Sequence, residues 1–215
     1  MLIGMVGFIG CGKGSAGDFL VEKMGFRHDS FAASLKDASS MIFGWDRDML
    51  EGSTKESRAW REQVDEYWAR ELNDPEFTPR KALQLMGTEA GRNVFGDRLW
   101  VSGLIKRYHN NHKTPTVITD VRFRNELDII KENNGINILI ERGKNPDWYN
   151  MMQDYNNGVA TSEVIEKIEQ LRADKVIPHV SETDWIGWEF DSYIRNNSTI
   201  GAFENALRCI IREYV

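Results

Sequence analysis

The sequence predicts an α/β protein of three layers, with helices on both faces of a parallel central sheet. Three observations predict it. Leu2–Val6 is a short apolar run, Gly7–Ser15 is rich in glycine, and Ala16, Phe19, Leu20 and Met24 then recur at helical spacing. Further along, short apolar runs alternate with helical patterns, as they do where crossover helices join parallel strands. The β-branched run from Pro115 to Thr119 ends in Asp120. That places an acid at the carboxyl end of a strand, where open parallel sheets hold ligands.

The N-terminal loop reads Gly7-Phe8-Ile9-Gly10-Cys11-Gly12-Lys13-Gly14-Ser15, a G-x-x-x-x-G-K pattern. Glycines let successive N–H groups point at one anion, and the following helix start adds partial positive charge. Lys13 adds a full charge that can reach outer phosphates. The bare pattern recurs by chance, but the strand before it and the helix after it are the context that phosphate binding requires. One position departs from the pattern. Gly14 stands where a Ser or Thr usually supplies the hydroxyl for Mg²⁺, and Ser15 is the next hydroxyl along.

The 215 residues are 41% hydrophobic, enough for one α/β domain with a sizeable core. The net charge of −6 argues against a broad nucleic-acid footprint. Cys11 and Cys209 form neither a metal pattern nor a disulfide framework, which suits a reducing cytoplasm. No apolar run approaches the ~18 residues that a membrane span needs.

In chain order, 25–30 reads as a turn and a second strand, and Phe31, Leu35, Ala38 and Ile42 mark a helix. On that helix Lys36 faces either solvent or a ligand. Residues 44–79 are dense in charge, and Trp60, Val64, Tyr67, Trp68 and Leu72 fit the apolar face of one helix. Pro79 opens the next helix. Gly87, Gly91 and Gly96 suggest a break where backbone approaches something, because each costs about 1 kcal/mol relative to alanine inside a helix. Leu99 to about His109 resumes a helical face, with His109 and His112 on the surface. Asp120 and Arg122 admit two readings: a metal- and phosphoryl-binding pair, or a helix cap beside a surface arginine. A buried strand at 136–140 follows, ending in Glu141-Arg142-Gly143. The interval 143–189 is polar and lid-like, with one helix at 162–172. A last strand at 191–194 leads to a final helix capped by 196–199, with Phe203, Ala206, Leu207, Ile210 and Ile211 inward. The domain plan is a single domain of core (1–43, 80–142, 190–215), helical insert (44–79) and lid (143–189).

A glycine loop, alternating strands and helices, one insert and one lid is the layout of a nucleoside monophosphate kinase. The chain resembles the tailed-phage deoxynucleoside monophosphate kinases, within the adenylate-kinase-like P-loop kinases. The resemblance rests on Gly7–Ser15, Phe31–Asp37, Leu85-Met86-Gly87-Thr88-Glu89 through Arg92, Phe95 and Trp100, Asp120–Phe123 with Asn125-Glu126, His179–Glu182, and Asn196. That family tolerates a residue without a hydroxyl after the loop lysine. The resemblance implies ATP and Mg²⁺, with a deoxynucleoside monophosphate as substrate. It implies donor-phosphate binding by Gly7, Gly10, Gly12, Lys13, Gly14 and Ser15, with Asn196 beside the donor adenine. It casts Lys13, Asp120, Arg122 and Arg142 as catalytic, and Ser15 and Asp120 as the metal side. Lys36, Arg80, Thr88, Glu89, Arg92 and Glu182 become substrate-pocket residues, and His179 either orders the lid or touches substrate. Base specificity and homodimerisation stay open.

Three rival readings follow from the same residues. One is a kinase of another phosphorylated small molecule, of the phosphomevalonate type. Another is a GTPase-like switch, for which Asp184-Trp185-Ile186-Gly187 matches D-x-x-G, but late in the chain and with no N-K-x-D after it. The third is a structural or nucleic-acid-handling protein, against which the acidic balance counts.

Overall fold

The computed structural model describes residues 1–214. By its internal contacts the chain divides into two compact units: Met1–Ser30 with Tyr108–Val215, and Phe31–Arg107.

The first unit is built on a five-stranded, wholly parallel sheet in the order β2-β3-β1-β4-β5. The strands are β1 (Leu2–Val6), β2 (Arg27–Asp29), β3 (Thr116–Ile118), β4 (Ile136–Glu141) and β5 (Ser192–Arg195). Every residue of β1 is buried, which is why it reads as a continuous apolar run. Its side chains alternate between faces. Ile3 and Met5 join a core with Ala16, Phe19 and Leu20 of α1 (Lys13–Met24) and Phe203, Leu207 and Ile211 of α12 (Ile200–Glu213). On the opposite face Gly4 lies against Ile130 of α9 (Arg124–Glu132), and a Cβ at Gly4 would come within 2.6 Å of it. The three layers are therefore α1 and α12, the sheet, and α9.

The interval 143–189 is more ordered than its polarity suggests. It holds α11 (Ser162–Ala173), as the sequence predicts, and also α10 (Tyr149–Asn156), which the sequence reading leaves irregular. Trp148 and Trp185 are buried. Arg124 ties the segment down, donating to the carbonyls of Asp184 and Ile186 at 3.0 Å each. No helix among the described residues is long and apolar enough to cross a membrane.

The second unit is helical: α2 (Ala33–Phe43), α3 (Arg47–Glu51), α4 (Lys55–Arg61), α5 (Glu66–Glu71), α6 (Pro79–Gln84), α7 (Asn93–Phe95) and most of α8 (Leu99–Asn110). The single helix expected through Trp60 and Leu72 is in fact two, α4 and α5. Asp65 divides them. Its Oδ1 accepts from Trp68 N at 3.0 Å to cap α5, and its Oδ2 accepts from Trp45 Nε1 at 2.7 Å. Only Trp60 and Trp68 of the expected face pack inward, against Phe43, Trp45 and Phe77; Val64, Tyr67 and Leu72 are exposed. The expected break at Gly87 and Gly91 is absent. Winding continues as a π-helical segment, Leu85–Arg92, that joins α6 to α7 and stops at Gly96 (φ 90°). The two glycines serve close approach. A Cβ on Gly91 would lie 2.7 Å from Trp100 Cζ2, and Trp100 Nε1 donates to Gly87 O at 2.9 Å.

Candidate active site

The phosphate-type loop is a product of three left-handed glycines. Gly7, Gly10 and Gly12 have φ of 138°, 82° and 115°, values that side chains strongly disfavour. Gly7 has a second constraint, since a Cβ there would stand 2.2 Å from the Ile140 carbonyl oxygen. The loop delivers the chain into α1, whose cap Gly12 has no side-chain hydrogen bond and whose first turn has no acid. The partial charge of that helix end is thus left for an external anion.

Lys13 opens α1 and folds back over the loop, with Nζ donating to Gly7 O at 2.5 Å and Phe8 O at 3.0 Å. Burial lowers its pKa, against an opposing pull from Cys11, and the Arg122 charge adds a lesser push downward. A polyanion would supply the counter-charge that this half-buried lysine lacks. Gly14 and Ser15 are exposed in the first turn.

The other first-unit residues emerge beyond strand ends. Asp120 is half-buried after β3. It does not cap α9; Phe123 is the cap residue, and Glu126 closes the turn by accepting from Arg122 N at 2.7 Å and Phe123 N at 3.0 Å. The Arg122 guanidinium forms an ion pair with Glu182, on a 3₁₀ turn at Val180–Glu182. His179 caps that turn, with Nδ1 accepting from Ser181 N at 3.2 Å. Arg142 is exposed just past β4. Asn196 follows β5 and donates from Nδ2 to Cys11 O at 2.9 Å.

In the second unit Lys36 turns away from solvent. Its side chain is 11% exposed and its Nζ lies 2.7 Å from Glu51 Oε1. Burial works to raise the Glu51 carboxyl, but bonds from Lys36 and Arg47 outweigh it and hold the pKa low. Arg80 is exposed and paired with Glu62 at 2.9 Å. Thr88, Glu89 and Arg92 lie on the π-helical segment, and Glu89 accepts from Asn93 Nδ2 at 2.7 Å.

Two features were missed from the sequence. Arg61, whose pKa is lowered by burial and then by neighbouring Arg80, has a buried Nε with no hydrogen-bond partner. It lies in an insert with no recognisable motif. The second is an aromatic anchor under the loop: Phe8 meets Trp185, Trp148 and Tyr149 at centroid distances of 5.0, 5.9 and 6.1 Å. The only signal for it was the density of aromatics in an interval read as lid.

A parallel sheet whose first strand feeds a left-handed glycine loop, a helix end and a half-buried lysine defines a phosphate-loop α/β protein of the kinase type. No protein-family model matches the chain. Relatives narrow the class. Over 156 residues, 66% of this chain and 74% of the relative, the chain is 35% identical to a protein of Acanthamoeba polyphaga mimivirus assigned as a deoxynucleotide monophosphate kinase. It is 41% identical over 62 residues to the deoxynucleoside-5'-monophosphate kinase of Escherichia phage T5, a match covering 29% of this chain and 25% of that protein. The chain belongs to the deoxynucleotide monophosphate kinase family. Solved structures with looser likeness include shikimate kinase from Aquifex aeolicus, with TM-score 0.44, 11% identity and coverage of 99% and 97% of the two chains. Dephospho-CoA kinase from Campylobacter jejuni gives TM-score 0.45, 16% identity and coverage of 99% and 96%. Scores this low carry no functional inference.

Proposed function

We propose that the protein transfers the γ-phosphoryl group of ATP to a deoxynucleoside 5'-monophosphate in the cytoplasm. A nonbridging oxygen of the acceptor phosphate attacks the γ-phosphorus. The bond from that phosphorus to the β–γ bridging oxygen breaks, and ADP leaves with the electron pair. Phosphoryl transfer asks the protein for alignment and positive charge rather than covalent chemistry. The observation that supports this reading most is Lys13 folded back over a loop of three left-handed glycines, with its Nζ on the Gly7 and Phe8 carbonyls.

In this reading the loop N–H groups and Lys13 hold the donor β- and γ-phosphates, with Lys13 exchanging the Gly7 and Phe8 carbonyls for phosphate oxygens. Arg122 exchanges Glu182 for the transferring phosphoryl group and neutralises its developing charge. Arg142 adds a second cation at the end of β4. Lys36, Arg80, Thr88, Glu89 and Arg92 serve the acceptor.

Among the described residues no cluster of three or more His, Cys, Asp or Glu could cage a metal. One carboxylate and one hydroxyl, Asp120 and Ser15, suit Mg²⁺ instead, which takes few protein ligands and completes its shell with phosphate oxygens and water. When bound there it would offset phosphate charge.

Acceptor dependence tests the reading. ADP should form from ATP only when a deoxynucleoside monophosphate is present, and the diphosphate should appear in equal amount. Equal ADP formation without acceptor would make the protein a hydrolase or switch and sink the proposal.

A further inference from the structure

Asn196 joins the end of the sheet to the phosphate loop. It is held from both sides: its backbone N donates to Glu141 O at 2.8 Å, and its Nδ2 donates to Cys11 O at 2.9 Å. The Cys11–Gly12 peptide is trans, so its C=O and N–H point in opposite directions. Drawing the Cys11 carbonyl toward Asn196 therefore turns the Gly12 N–H away from the sheet end. Gly12 fits this account from its own side. A Cβ there would stand 2.5 Å from Asn196 Nδ2, so the amide fills the space that a side chain at position 12 would need. The Gly12 carbonyl is engaged too, accepting from Ala16 N at 2.9 Å in the first turn of α1. Both carbonyls flanking the Gly12 Cα are thus fixed, one by the helix and one by Asn196.

We infer that Asn196 is a positioning residue for the donor phosphates, which fixes the Cys11–Gly12 peptide so that its N–H is presented to the anion. This departs from the base-side role that the family resemblance implies for Asn196, and it rests on the phosphate-loop reading above. A donor amide is required. A carboxylate of the same size cannot donate to Cys11 O and would repel it, which favours the flipped peptide, with a carbonyl toward the phosphates.

The test is binding of inorganic tripolyphosphate and of ATP to the full chain by calorimetry, for the wild type, N196D and N196A. N196D keeps the side-chain volume and so guards against loss of the fold, which a thermal melt checks. Losing one hydrogen bond of ordinary net worth corresponds to about tenfold weaker binding. We expect both ligands to lose affinity by the same factor, more in N196D than in N196A. The Gly12 amide proton, which should move on tripolyphosphate addition to the wild type, should move less in N196D. Loss of ATP affinity with tripolyphosphate unchanged would place Asn196 at the base and overturn the inference. A lowered melting point with both affinities intact would reduce it to a structural residue and overturn it as well. Failure of the wild type itself to bind tripolyphosphate would instead overturn the phosphate-loop reading, and this inference with it.

Discussion

Lys13 is held in a place that works against its charge. Burial is the main cause, and with a lesser push from the Arg122 cation it outweighs the opposing pull of Cys11 and lowers the pKa below the ordinary lysine value. For a base, a lowered pKa means that the folded state binds fewer protons than the unfolded chain, so this site costs stability at neutral pH and the cost fades as pH rises. Lys13→Ala should therefore leave the melting temperature unchanged or raised. The same variant should lose turnover by on the order of 10²–10³, the usual cost of removing one preorganised charge from a transition state. Steady-state kinetics and a thermal melt on one preparation check both parts. A bound polyphosphate reverses the shift by supplying the missing counter-charge. ATP affinity should then be flat near neutrality and fall as pH rises through the lowered Lys13 pKa, before the ordinary value of about 10.4 is reached. Calorimetry in buffers of different ionisation enthalpy should show proton uptake on binding in that window; affinity flat up to the ordinary lysine range would contradict the assignment.

At the scale of elements, glycine separates into distinct physical roles. Gly91 is buried against Trp100, and an added Cβ would meet Cζ2 at 2.7 Å and Met86 O at 2.8 Å. Gly91→Ala should destabilise the protein by about 1–3 kcal/mol, because neither an indole held by its own hydrogen bond nor a backbone oxygen can give way cheaply. Gly201, in the first turn of α12, meets open space, and Gly201→Ala should stabilise by roughly 0.5 kcal/mol through helix propensity alone. Urea unfolding of the two variants measures both signs. The same contrast explains what the sequence could reveal. The five strands, α1 and α12 carry their own periodicity, so their existence could be read directly. The π-helical winding at 85–92 could not, because the reason for its glycines is an indole at position 100. The division of α4 from α5 was equally hidden, since Asp65 is bound to Trp45, twenty residues away.

At the scale of the molecule, the two units differ in how much of their proposed chemistry was legible. The first unit's candidates follow from strand ends in a parallel sheet, a topology that fixes where a loop lysine, an Asp-x-Arg and a late asparagine must emerge. Even so, their partners were invisible: Glu182 on Arg122 and Cys11 O on Asn196 are contacts across 60 and 185 residues of sequence. The second unit's candidates have local partners, Glu51 for Lys36 and Glu62 for Arg80, and its charge density read as solvated surface hid the half-buried Arg61. Membership of the deoxynucleotide monophosphate kinase family fixes the class of the protein, while the base it accepts is written in packing that sequence spacing does not show. The most direct measurement is a coupled ADP-release assay with Mg-ATP against dTMP, dGMP, dCMP, dAMP, hydroxymethyl-dCMP, their ribose counterparts and phosphomevalonate. The account predicts turnover with one or more deoxynucleotides and none with phosphomevalonate. Silence across every nucleotide, or activity on phosphomevalonate alone, would contradict it.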